Sequence, residues 1–131
     1  MTEFNTPPSM PAKDQSKRYD LEDRTFEFAK ASRAFVKRLP RRIANADDAK
    51  QLIHASGVHR RELHRGKRID WKKDFVMKIK TCRREAKESG YWLRLLDCDD
   101  DIEPVRANLL TEALELMKIF GAIVRKSEER I

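Results

Sequence analysis

Only two of the 131 residues are cysteine, Cys82 and Cys98, and their separation matches no CxxC or other metal-binding spacing. That excludes a disulfide framework or a zinc ribbon and fits reduced thiols in a cytoplasmic protein. Glycine is also scarce, at four residues, and Pro7, Pro8 and Pro11 account for three of the five prolines. A chain so poor in turn formers is unsuited to a sandwich or barrel, and no alternating apolar pattern argues for strands. No apolar run reaches the roughly 18 residues that a membrane helix needs, so no membrane partner is expected. Three chemical signatures are missing as well. The chain has no Gly-rich phosphate loop, no nucleophile beside a credible base, and no carboxylate pair other than ordinary surface acids. Neither an enzyme activity nor a cofactor is expected.

What the chain has is charge. Asp, Glu, Lys and Arg make up 39% of it, and the formal net charge is +7. The excess is concentrated, because Val58 to Lys87 holds twelve Lys/Arg against four acids. Such a block suits nucleic acid or an acidic protein surface, and it also suits a merely solvated helix face.

Helical periodicity covers most of the remaining chain. Residues 1–19 read as a disordered tail, since they are polar, proline-bearing and without an apolar core for export. Residues 20–131 read as one domain. Asp20, with Asp23 three residues on, is placed to cap a first helix whose face is Leu21, Thr25, Phe28, Ser32, Phe35 and Leu39, ended by Pro40. Asn45 is placed to cap a second, with Asp47 and Asp48 in its first turn and Leu52, Ile53 and Ser56 facing inward. Asp70 opens a third, in which Phe75, Ile79, Cys82, Ala86, Ser89, Leu93 and Leu96 form a bundle seam around Gly90. Pro104 fits the first turn of a fourth, with Leu109, Ala113, Leu116, Phe120 and Ile123 on its face. Long helices with short connections predict an all-α, antiparallel up-and-down four-helix bundle. Leu110, Leu114, Met117 and Val124 form a second apolar stripe, and Phe26, Tyr91, Trp92 and Leu95 lie off the seams. Together they exceed one bundle's needs and point to subunits packed side by side.

Three candidate sites follow from residue type and spacing. His54, His59 and His64 recur every five residues. On a helix that turns successive rings by about 140°, so they share no face and hold no metal. Asp97, Asp99, Asp100, Asp101 and Glu103 lack the glycine and alternation of a calcium loop, and read as a solvated turn before a helix. The third candidate is the strongest. Lys73, Lys80, Arg84 and Lys87 are spaced seven, four and three apart, one stripe of helix three that also holds Met77 and Tyr91. Lys72, Lys78 and Arg83 are expected to flank it. Such a row contacts successive phosphates of RNA or DNA without reading bases.

The motifs "YDLEDRTFEFAK" (Tyr19 to Lys30), "LP" (Leu39-Pro40), "QLIHASG" (Gln51 to Gly57) and "KKDFVMKIKTCRREAKESGYWLRLL" (Lys72 to Leu96) resemble the four-helix-bundle proteins encoded in 23S rRNA intervening sequences. The resemblance spans Tyr19 to Phe120 and is most specific in helix three. It implies a small bacterial bundle assembled as a homopentameric ring. It also implies kinship with accessory proteins of diversity-generating retroelements, which bind nucleic acid and a reverse transcriptase.

One stretch departs from the family. Where members read like "GSVGANYIEANEA", this chain reads "GVHRRELHRGKRI" from Gly57, with Arg60 and Arg61 where glycine and alanine are expected. The genetic code accounts for the departure. Read one base later, codons for Gly57 to Arg68 can encode Gly-Ser-Thr-Gly-Ala-Asn-Tyr-Ile-Glu-Ala-Asn-Glu, close to the family motif. A local frameshift, closed by a compensating base near Ile69, is the expectation. The competing reading is an acquired basic binding element.

Overall fold

A computed structural model describes the backbone of residues 13–63 and 71–129 and the side chains of 21–57 and 72–129. The described residues form four α-helices: α1 (Lys13–Lys37), α2 (Ile43–Leu63), α3 (Trp71–Leu95) and α4 (Glu103–Glu129), with a 3-10 turn at Asp100–Ile102 before α4. No strand occurs among them. Most of each expected face is buried, while Leu21, Leu39, Phe75 and Ile123 are half-buried against the core and Ile53 is half-buried outside it. Thr25, Phe28, Ser32 and Phe35 are buried on α1, Leu52 and Ser56 on α2, and Ile79, Cys82, Ala86, Ser89, Leu93 and Leu96 along and just beyond α3. Leu109, Ala113, Leu116, Phe120 and Val124 complete the core from α4. Each large apolar side chain removed from water here contributes about 1.5–3 kcal/mol. The helices pack in a circuit, α1 on α2 and α4, α2 on α3, and α3 on α4.

Helix starts differ from the sequence expectation. The first helix begins at Lys13, so Asp20 lies within α1 instead of capping it, and residues 13–19 of the expected tail are helical. Residues 1–12 lie outside the described residues, as does the expected cap Asp70. The second helix begins at Ile43, so no acid stands in its first turn and Asn45 is not its cap. Asn45 is buried and has another task. Its Nδ2 donates to Pro40 O at 3.2 Å and Asp97 O at 3.0 Å, while its Oδ1 accepts from Asp97 N at 3.0 Å. It therefore ties the α1–α2 connection to the end of α3. Pro104 does sit in the first turn of α4, where its missing N–H leaves no bond unmade.

Polar groups join the helices where apolar packing cannot. The Arg24 guanidinium of α1 donates to both carboxylate oxygens of Glu112 on α4, at 3.0 and 2.7 Å. Arg106 of α4 donates to Leu93 O at 3.1 Å and to Leu96 O, satisfying carbonyls that the end of α3 leaves exposed. Arg106 also pairs with Glu103, whose carboxyl it holds below the usual range, first through the hydrogen bond and then through its charge. Small buried hydroxyls let helices approach and bond back into their own backbone. Thr25 donates to Glu22 O, Ser56 to Ile53 O and Ser89 to Glu85 O.

Several apolar residues expected outside the seams are core. Val124 is buried, and Trp92 and Met117 pack against the buried cluster. Others remain in solvent, with Phe26 of α1 42%, Ile43 of α2 94%, Leu95 of α3 47% and Leu114 of α4 45% exposed. Every helix thus carries at least one large apolar side chain on its outside. No helix is long and apolar enough to cross a membrane among the described residues.

Candidate nucleic-acid interface

The buried seam of α3 fixes what its outer face can be. Ile79, Cys82, Ala86 and Leu93 point into the core, so at 3.6 residues per turn the opposite side falls to Lys73, Met77, Lys80, Arg84, Lys87 and Tyr91. All six are exposed. The four expected cations of the stripe are therefore brought to one solvent-facing surface. The flanking set divides. Lys72 and Arg83 are exposed, but Lys78 is half-buried. Two positions before Lys80, it is turned by roughly 200° around the helix and does not join the stripe.

Acids temper the surface without cancelling it. Lys80 Nζ lies 3.1 Å from Glu128 Oε2 of α4, with both side chains about half exposed. Arg84 Nε lies 3.8 Å from Glu85 Oε2. The Lys80–Glu128 pair, open to water on both sides, is worth little and exchanges readily with a competing anion, whereas the Glu85 carboxylate is largely buried. Tyr91 sits at the far end of the stripe, its ring edge-on to Trp92 with centroids 4.9 Å apart.

One basic residue of this surface escapes a reading of helix three alone. A Cβ added at buried Gly121 of α4 would stand 3.6 Å from Arg125 Nη1 and 3.7 Å from Arg83 Nε. Two guanidinium groups from two helices thus meet over one glycine. Neither takes part in an ion pair among the described residues. The sequence signal for Arg125 was its place four residues after Gly121, but its partner stands on another helix.

The other candidates stay apart. His54 is exposed on α2, and the side chains of His59 and His64 lie outside the described residues. Asp99, Asp100 and Asp101 are exposed in the turn before α4, and Asp97 faces Arg42 at 3.7 Å. No group of three or more His, Cys, Asp or Glu arranged to hold a metal occurs among the described residues. Cys82 and Cys98 are both free thiols, and burial pushes the Cys98 thiol up. The Gly57–Arg68 stretch runs into α2 as far as Leu63, and its side chains beyond Gly57 lie outside the described residues. No family model, no curated protein and no solved structure matches the chain.

Proposed function

We propose that the chain is a non-enzymatic, basic scaffold of the 23S rRNA intervening-sequence type that binds RNA or DNA through phosphate contacts. The observation that carries this reading is the exposed row Lys73, Lys80, Arg84 and Lys87 on one face of α3. A rigid helix holds these charges at fixed spacing, and each phosphate they neutralise releases counterions, which favours binding without base readout. The protein needs no cofactor for this and acts in the cytoplasm.

The proposed architecture is an antiparallel up-and-down bundle. The order of contacts supports it, because Leu93 and Leu96 meet Arg106 near the start of α4 while Lys80 meets Glu128 near its end. Side-by-side assembly into a homopentameric ring is part of the same proposal. Exposed Phe26, Leu95 and Leu114 favour association, and the family resemblance supplies the number five. A ring repeats a modest basic face and multiplies its effective affinity.

Fluorescence anisotropy of mixed-sequence RNA and DNA across a salt series tests the reading. The expected result is weak sequence preference and a steep loss of affinity with salt. Lys80→Glu, Arg84→Glu and Lys87→Glu should weaken binding together. Absence of binding at low salt would sink the proposal. Light scattering that gives a monomer mass at micromolar concentration would refute the ring.

A second reading has its own observation. Met77 and Tyr91 on α3 are 57% and 53% exposed beside the cations, a surface that also suits a protein partner. Under that reading the chain is an accessory subunit, for example to a reverse transcriptase, without direct nucleic-acid contact. Capture of a partner in the absence of any salt-sensitive nucleic-acid binding would favour it.

A further inference from the structure

The meeting of Arg83 and Arg125 over Gly121 is an electrostatic arrangement in need of an anion. Both side chains are exposed, they come from different helices, and neither has an acid partner among the described residues. Of the two acids within a turn of Arg125, Glu129 pairs with neither arginine among the described residues. Glu128, three residues beyond Arg125, is engaged by Lys80 at 3.1 Å. Lys87, four residues beyond Arg83, adds a further exposed cation on the same side of α3. The absence of a side chain at Gly121 lets both arginines lie across it. A methyl group there would lie at ordinary van der Waals distance from both, 3.6 Å from one guanidinium nitrogen and 3.7 Å from the other, so the two side chains close over the buried glycine.

We propose that Arg83 and Arg125 form a phosphate clamp across the α3–α4 seam, on the solvent-exposed side of the two guanidinium groups. Guanidinium groups suit this task because their planar N–H forks match phosphoryl oxygens in pairs, which ammonium groups cannot do. Placement on two packed helices fixes the spacing of the two side-chain attachment points before the ligand arrives. The ligand class is a phosphoryl oxyanion, and its expected source is one phosphodiester of a nucleic-acid backbone. Only that choice of source rests on the nucleic-acid reading above. The clamp adds a contact beside the α3 stripe and assigns a role to α4.

The test uses the full chain with two kinds of probe. Labelled mixed-sequence RNA is titrated across a salt series, and thermal unfolding is followed in inorganic phosphate or pyrophosphate against chloride at equal ionic strength. Arg83→Ala and Arg125→Ala should each weaken RNA binding several-fold and lower the salt slope by about one. Their double variant should lose less than the two single losses combined, because the pair acts as a unit. Arg125→Lys should recover only part of the loss. Gly121→Ala should not lower the melting temperature, since its Cβ makes only ordinary contacts, and should change RNA binding less than either arginine variant. Arg33→Ala, an exposed arginine on α1, should change little and serves as the charge control.

Unchanged RNA binding in the clamp variants would overturn the clamp and leave the nucleic-acid reading standing. Losses no larger than that of Arg33→Ala would overturn it too, by making the effect one of general charge. Stabilisation by phosphate that the clamp variants abolish, with no RNA bound at low salt, would keep the clamp and sink the nucleic-acid reading. A wild-type chain that responds to neither probe would end both.

Discussion

Asn45 and Asp97 exchange two hydrogen bonds across the end of the bundle, Nδ2 to carbonyl and backbone N–H to Oδ1, each at 3.0 Å. A third bond from the same amide reaches Pro40 O. One side chain thus satisfies the backbone on both sides of Asp97 and anchors the chain entering α2. Asn45→Ala leaves these groups without their partner in a buried setting and is expected to cost about 2–3 kcal/mol. Asn45→Asp should be no better, because a carboxylate can accept from Asp97 N but repels the two carbonyl oxygens. Urea unfolding monitored by circular dichroism checks both; an unchanged midpoint for Asn45→Ala would show that water replaces the tie.

Glu85, although it faces Arg84, gives a pH dependence of opposite sign to Glu103. Burial, and then the charge of Glu88, push its carboxyl above the usual range, while Arg84 and His54 pull it back. A raised folded pKa means that the charged form is less welcome in the folded state than in the unfolded one. The resulting penalty is present above the folded pKa and is gone below the unfolded value, about 4.3. Glu85→Gln should therefore raise the urea midpoint at neutral pH, with the gain shrinking as the pH falls towards 4. A gain that stays constant over that window would assign it to packing instead of charge.

Gly90 lies in the interior of α3, where its backbone freedom costs helix stability. The structure leaves room for a methyl group, since a Cβ would stand 3.5 Å from Leu110 Cδ1 and 3.9 Å from Ala113 Cβ. Both are ordinary van der Waals separations. Gly90→Ala is expected to stabilise the protein by about 0.5–1 kcal/mol, a rise of roughly 2–4 °C in Tm. A lower Tm would mean that α3 and α4 approach more closely in solution than these distances allow.

The Gly57–Arg68 stretch makes a prediction about the gene as well as the protein. Its codons should encode the small-residue family motif one base out of frame, which direct sequencing of the gene reads. Replacing the twelve residues by that shifted-frame product should raise stability if Arg60 or Arg61 falls in a helix contact, where an unpaired guanidinium is costly, and should change it little if both face solvent. The urea midpoint measures it. Codons unable to encode the motif would remove the frameshift. Loss of nucleic-acid binding in a verified chain carrying Arg60→Ala, Arg61→Ala and Arg65→Ala would make the stretch a binding element after all.

Periodicity alone determined the main buried positions of α1, α3 and α4. Phe28, Ser32, Phe35, Ile79, Cys82, Ala86, Leu116 and Phe120 are buried as their spacing requires, because a 3.6-residue repeat can hide only one side of a helix. For the same reason the exposure of Lys73, Lys80, Arg84 and Lys87 was legible in their spacing, as the face left over from that seam. The relation between helices was not. Asn45 resembles a cap by residue type and serves as a tether, Lys78 resembles a flanking cation and is half-buried away from the stripe, and Val124 resembles a second stripe and is core. The meeting of Arg83 with Arg125 over Gly121 joins residues from two helices. Each of these depends on the rotation and offset of one helix against another. Those are set by side chains interlocking across a seam, and no repeat within a single helix encodes them.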